Sequence, residues 1–278
     1  SDYPLHVLHE YRMDAKSVRD TITYLKKNDH DQLRKAAGVS STRMALVPYA
    51  AEVLEALLTC FQPSDIAISS YGIREGLLFE QMPQKLRDRD PLIEACRFAE
   101  SKDARLPGFG RHLYDFVSPL FPRANWQRKR IIKAACLLHD VSWRAHPDYR
   151  GEITFDNATR ANLGGLKHYE RVILGLSLLY RYQNKRGGAH LDPLYAMLDA
   201  VQIREAEVLG RAMRLGAMLW LNVDKAPGKI KWKPKKRELT LILAHEARPL
   251  FGEVAEARLA SLTEALGATT KVKFEKPA

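Results

Sequence analysis

The feature that most constrains the fold is a change of hydrophobic period along the chain. Across 91–222 apolar residues recur at helical spacing with little strand character, whereas the flanking segments mix helical runs with short alternating stretches. The period predicts helices over about 91–102, 110–120, 125–146, 158–163, 166–183, 193–199 and 203–222, which makes the middle of the chain an all-helical domain.

The segment before it has a different grammar. Asp14 is placed to cap a helix carrying Val18, Ile22 and Leu25, and a second helix near 31–37 stops at Gly38. Ser40 or Ser41 then caps a long apolar helix with Ala50, Val53, Leu54, Leu57 and Leu58, in which Pro48 sits in the first turns or makes a kink. Pro63-Ser64-Asp65 ends that helix, Ile66–Ser69 reads as a short strand, and Gly72 turns the chain into a helix through Leu78. Tyr3–His9 alternates like a strand already in progress, and the chain has no initiator Met, so a fragment lacking its first half is expected. Asp88-Arg89-Asp90-Pro91 is charged, apolar-poor and broken by proline, and marks the domain boundary. After Ala226, strands at Lys229–Lys233 and Glu238–Leu243, a helix at 252–266 and a strand at Thr270–Phe274 form a small ββαβ module. The expected organisation is mainly α: 1–85 as the tail of an α/β lobe, 90–222 as the helical domain and 226–278 as the module.

Forty-four Lys and Arg against 33 Asp and Glu give a net charge of +11, which favours a polyanionic partner. The surplus is localised. Between Ser101 and Arg150 ten Lys or Arg face four Asp, and Lys225–Arg237 holds seven Lys or Arg with no acid. No apolar run approaches the length of a membrane span, and the start has no signal-peptide character. Cys60, Cys96 and Cys136 lie far apart with no Cys-x-x-Cys pair, which excludes a zinc ribbon or disulfide scaffold and fits reduced thiols in a cytoplasm.

Leu137-Leu138-His139-Asp140 ends an apolar helix, and an adjacent His-Asp pair with another His upstream and an Asp downstream is the ligand set of HD-type metal phosphohydrolases. His112 is placed for the upstream ligand, with His146 and His168 as supplements. The downstream carboxylate is missing, because Gly216 occupies its place in Arg214-Leu215-Gly216-Ala217-Met218. The expectation is a degenerate set, His112, His139 and Asp140, on an inherited helical scaffold that holds no metal. Arg144, His146 and Arg150 in the following Pro/Gly-rich loop can form a basic rim that grips phosphate oxygens through planar guanidinium forks. Arg105, Arg111, Arg128, Lys129, Arg130 and Lys133 extend the same positive region. Arg74, in Gly72-Ile73-Arg74-Glu75-Gly76, sits where backbone N–H groups of a helix start can approach an anion, or where an Arg-Glu pair simply joins two elements. Trp232 in the lysine block can stack on a base, but a lysine-protected edge hairpin explains that block better.

Asp65–Leu78, followed by a helical domain with Leu137-Leu138-His139-Asp140, resembles the exopolyphosphatase/guanosine pentaphosphate phosphohydrolase family. Tyr3–His9 and Ser142–Glu152 look like its alphaproteobacterial exopolyphosphatase branch. The resemblance implies an actin-like two-lobed phosphatase joined to an HD-like helical domain and a small further module. It also implies release of terminal orthophosphate from inorganic polyphosphate with Mg²⁺. The phosphate loops, catalytic Glu and metal carboxylates of such an enzyme belong to parts that cannot be placed here, so no catalytic residue is assigned to this segment, no ion is expected on it, and it is expected to be inactive alone. Its expected role is to bind polyphosphate through Arg74, Arg105, Arg111, His112, Arg144, His146 and Arg150, to brace the lobes, and to form a homodimer, away from any membrane. Guanosine pentaphosphate hydrolysis, a silent polyphosphate- or RNA-binding module, and an autonomous HD phosphohydrolase are the alternatives.

Overall fold

The computed structural model describes residues 3–220 and 226–276. They divide into two compact units, one formed by Leu8–Leu77 and the other by the chain's first residues with everything from Leu78 onward.

In the smaller unit, β1 (Arg12–Asp14) leads into α1 (Ala15–Lys27), α2 (His30–Ala37), α3 (Ser41–Phe61) and β2 (Asp65–Ala67), and α4 (Ile73–Gln81) begins at its end. Local capping sets these boundaries: the side chains of Asp14, Asp29 and Ser40 accept hydrogen bonds from the backbone N–H groups of Ser17, Gln32 and Arg43. The two strands pair antiparallel with Met13 opposite Ile66. Both residues pack on a core of Val18, Ile22, Ala51 and Leu58. Two expectations need correction. Tyr3–His9 is not a strand; the first strand starts at Arg12, and Leu5 is buried among helices of the larger unit instead. Second, a stretch of membrane-spanning length does exist: α3 is long and apolar enough by length and composition, and 17% of its most apolar window is buried. Its Glu52 and Glu55 both pair with Lys26.

The larger unit holds α5 (Gln84–Arg87), α6 (Pro91–Asp103), α7 (Phe109–Val117), α8 (Trp126–Leu138), α9 (Arg150–Arg160), α10 (His168–Tyr182), α11 (Asp192–Tyr195) and α12 (Ala200–Leu219). The expected helix over 125–146 ends at Leu138, and residues 139–149 form turns. The physical reason is long-range. Tyr182 Oη donates to the His139 carbonyl at 2.8 Å, and Arg105 holds Asp140. The end of the expected 203–222 helix lies outside the described residues. The α10–α12 contact is close because Gly210 faces the Ser177 carbonyl and Tyr180; a Cβ there would lie 2.4 Å from Tyr180 Cβ and 2.6 Å from the Ser177 oxygen.

β3 (Gly228–Lys233), β4 (Glu238–Leu243), α13 (Glu253–Leu266) and β5 (Thr269–Phe274) complete the unit. The sheet order is β3-β4-β5, antiparallel then parallel, with α13 as the crossover between the parallel strands. Ile230, Leu239, Leu241, Leu243, Leu259 and Leu262 share one continuous core with Leu92, Leu113, Ile131, Leu209 and Leu215. The ββαβ segment is therefore bonded into the helical layer.

Candidate functional site

The site grows from the end of α8. His139 and Asp140 are both 4% exposed. His139 Nδ1 lies 2.9 Å from the Cys136 carbonyl, and its ring meets Phe109 edge-on at 5.3 Å. Burial, reinforced by the positive charge of Arg181, pushes the imidazole down to about 3, so it is neutral at ordinary pH. Both oxygens of Asp140 are taken by Arg105: Nε donates to Oδ2 at 2.8 Å and Nη2 to Oδ1 at 2.6 Å. Burial alone would raise this carboxyl, but the Arg105 hydrogen bonds and nearby positive charge bring it below the usual carboxylate range.

This arrangement does not fit a metal. One nitrogen of His139 faces a carbonyl and both oxygens of Asp140 face a guanidinium, while His112, half-buried on α7, bonds to neither. Gly216 offers no room for the missing carboxylate, since a Cβ there would lie 2.6 Å from Leu113 and 2.9 Å from Phe116. Among the described residues, no group of three His, Cys, Asp or Glu side chains is placed to hold an ion.

What does converge around Asp140 is positive charge on two aromatic rings. The guanidinium carbons of Arg144 and Arg105 lie 4.7 and 5.8 Å from the Trp143 ring centre. Those of Arg181 and Arg150 lie 4.9 and 5.9 Å from the Tyr182 ring centre. Trp143 is fixed by its indole N–H donating to the Asp103 carbonyl at 2.9 Å, and Tyr182 by its bond to His139. Arg150 donates to the Ala145 carbonyl at 3.1 Å, which draws the 139–149 turns together. Among the described residues, Arg144, Arg150 and Arg181 form no ion pair with any carboxylate, which leaves Asp140 as the one acid bonded within the cluster. Arg105 and Arg144 share one ring and Arg150 and Arg181 the other, and guanidinium forks held in this way can grip several phosphoryl oxygens at once.

Two models of known families match the chain. A family model described as "Exopolyphosphatase, C-terminal" matches residues 101–274, and one described as "Ppx/GppA phosphatase family" matches residues 2–85. The chain belongs to the exopolyphosphatase/GppA family. No curated protein matches it.

For this family member, the structure sorts the residues singled out in the sequence. Arg105, Arg144 and Arg150 meet in the cluster. His146 stays in its own turn, exposed, with Nδ1 3.7 Å from Asp148 and its ring against Tyr149. Arg111 is exposed on α7 outside the cluster. Arg74 is exposed in the first turn of α4, in the smaller unit, where Glu75 accepts from Gly72 N–H at 2.6 Å and closes that helix start on itself. The expected extension along α8 is taken up in part by structural pairs: Arg128 bonds to Glu205, and Arg130 bonds to Asp90 and lies over Trp126, whereas Lys129 and Lys133 form no ion pair among the described residues. The lysine block is partly neutralised, with Lys229 on Glu275 and Lys233 on Glu238, and Trp232 packs on the core. Lys225 lies outside the described residues.

Arg181 is the residue sequence reasoning missed. It sits at the last turn of an apolar helix, where a lone arginine reads as a solvated end. The available signal was Arg181-Tyr182, the repeat of the Trp143-Arg144 pairing of ring and guanidinium. The cavity of about 230 Å³ lined by Phe121, Tyr169, Val201 and Glu205 shares no residue with the cluster.

Proposed function

We propose that this chain is the polyanion-holding part of an exopolyphosphatase, with Arg105, Arg144, Arg150 and Arg181 gripping inorganic polyphosphate while the terminal orthophosphate is released by a Mg²⁺-dependent site elsewhere in the whole protein. The single observation that carries the reading is the pairing of guanidinium groups on two rings, Arg105 and Arg144 on Trp143 and Arg150 and Arg181 on Tyr182, with Arg105 bonded to Asp140. The rings orient the forks, and the turns at 139–149 bring residues from three segments to one place. Mg²⁺, when bound to the whole protein, supplies neutralisation of the phosphate that is cut. His139 and Asp140 do not fit it, and their part is to hold Arg105 and Tyr182 in position.

Inorganic polyphosphate is favoured over guanosine pentaphosphate and over RNA by the state of the rings. A base needs an open aromatic face, and Trp143 and Tyr182 are each already covered by two arginines. Bracing of the catalytic lobes and dimer formation belong to the same proposal. They draw support from the exposed apolar residues Leu46, Tyr49, Val53, Leu57 and Phe61 along α3, which a partner surface in the whole protein would cover.

Calorimetric titration of the 278-residue chain with polyphosphate, run with a phosphate-release assay, tests the reading. Binding that weakens steeply with salt, loses about tenfold or more in the double variant Arg105→Gln/Arg150→Gln, and yields no phosphate is the expected result. Magnesium-dependent release by this chain, or binding untouched by the double variant, would overturn it.

A further inference from the structure

The cavity of about 230 Å³ lies where α8, α10 and α12 begin. Its walls are largely apolar: Phe121, Ile131, Ile173, Val201 and Leu209. A space of about 230 Å³ equals the share of seven or eight waters in bulk liquid, at about 30 Å³ each, which is room for a small organic molecule. From Glu170 in the cavity to Arg181 in the arginine cluster, the axis of α10 rises roughly 16 Å, so the two are separate places on one helix.

Charge sets this cavity apart. On a chain of net charge +11, the charged side chains that line it are one arginine, Arg128, and three acids, Glu170, Asp199 and Glu205. Arg128 and Glu205 bond to each other and cancel. Glu170 is 5% exposed, and its carboxylate accepts from the Lys167 backbone N–H at 2.9 Å and from the Tyr169 hydroxyl. Asp199 accepts from the Gln202 backbone N–H at 2.8 Å. All these donors are neutral, and among the described residues neither acid forms an ion pair. Capping explains each acid singly, because a helix start favours a carboxylate. It does not explain why two of them line one apolar-walled cavity, where a charge without a counter-ion costs free energy.

We infer that this cavity binds a small aliphatic diamine, its two ammonium groups paired with Glu170 and Asp199 and its methylene chain against Ile131, Ile173 and Val201. An alkylammonium stays charged at neutral pH, as the lysine side chain does with a pKa of about 10.4. Its two charges match the two uncompensated carboxylates, and its methylenes match walls that offer a hydrated metal ion few oxygens. The site is independent of the polyphosphate reading, since it shares no residue with the arginine cluster.

The test is calorimetric titration of the 278-residue chain with diaminobutane, and with butylamine and butanediol as probes carrying one charge and none. The expected result is one diaminobutane bound per chain, butylamine weaker by about tenfold or more, and no heat from butanediol. Asp199→Asn and Glu170→Gln, which keep a side-chain oxygen for the capping bonds, should each lose about tenfold in diaminobutane affinity. Should Glu170→Gln melt early, Asp199→Asn alone carries the test. Butylamine binding as tightly as diaminobutane, affinity untouched by either variant, displacement by an equal concentration of Mg²⁺, or no binding at all would each overturn the site. Diaminobutane affinity should be unchanged in Arg105→Gln/Arg150→Gln; a comparable loss there would move the amine site away from this cavity. Each of these outcomes leaves the polyphosphate proposal to its own titration.

Discussion

Arg105 grips Asp140 with two parallel hydrogen bonds, Nε to Oδ2 at 2.8 Å and Nη2 to Oδ1 at 2.6 Å, across 35 positions of sequence. The Arg105 side chain is 53% exposed and the Asp140 side chain 6% exposed, so a buried carboxylate holds a solvent-facing guanidinium at the edge of the cluster. The pair uses both oxygens that a metal site would need, and it anchors the first arginine of the proposed polyphosphate grip.

Asp140→Asn separates those two duties. Losing the charge-assisted fork while Arg105 stays hydrated should cost about 1–2 kcal/mol of stability, read from urea denaturation. The same change frees Arg105 from its anchor, so polyphosphate affinity should fall severalfold. A rise in affinity at low salt would show that Asp140 acts mainly as a competing charge.

Acid should destabilise the larger unit through the same corner. His139 is held down at about 3 by burial and by Arg181, whereas the unfolded chain protonates it near the ordinary histidine value of about 6.5. Below that value the unfolded state binds the extra proton, so stability falls with decreasing pH at up to about 1.4 kcal/mol per unit. Asp140, whose folded value is depressed, adds loss of stability at lower pH, once the medium falls below its unfolded value of about 3.9. Urea midpoints of a His139→Gln variant, followed from neutral to mildly acid pH, should show a flatter profile; an unchanged slope would assign the acid sensitivity elsewhere.

Gly216→Asp tests whether the missing carboxylate can be restored. The new side chain would press on Leu113 and Phe116 and bury a charge, at an expected cost of 3 kcal/mol or about that from overpacking and desolvation. The melting temperature should drop, and metal analysis after dialysis against Mn²⁺ should find none retained. Retention of about one ion per chain would contradict the fit described for His139 and Asp140.

The lysine block should be nearly silent in binding. Lys229 and Lys233 have carboxylate partners, as does Lys271 on the far edge of the sheet, and Lys231 projects from an edge strand. Lys231→Gln with Lys235→Gln should change polyphosphate affinity by less than about threefold at physiological salt, against tenfold or more for the arginine pair. Comparable losses would move the interface to the sheet.

How much of this was legible depended on the range of the interaction that decides it. Helix starts at Asp14 and Ser40 and stops such as Gly38 follow from contacts within four residues, and the alternation at 229–233 and 238–243 marks the paired strands directly. The gap at Gly216 was visible too, because a ligand set is a matter of residue type. The end of α8 at Leu138 was not, since Tyr182 and Arg105 supply the reason from 43 and 35 positions away.

The sequence by itself therefore determined many of the elements, though not the bounds of α8 or of α9, which runs over Arg150–Arg160 and not 158–163; it also determined the surplus of positive charge and the family resemblance, because side-chain type, capping and periodicity act over a turn or two of chain. Only the tertiary structure decided which cations stay unbalanced. Arg128 and Arg130 find Glu205 and Asp90, whereas Arg144, Arg150, Arg181 and Arg214 find rings, carbonyls and one another. A charge carries no period that announces its partner; the partner is whatever the close packing of α10, α12 and α13 brings within reach.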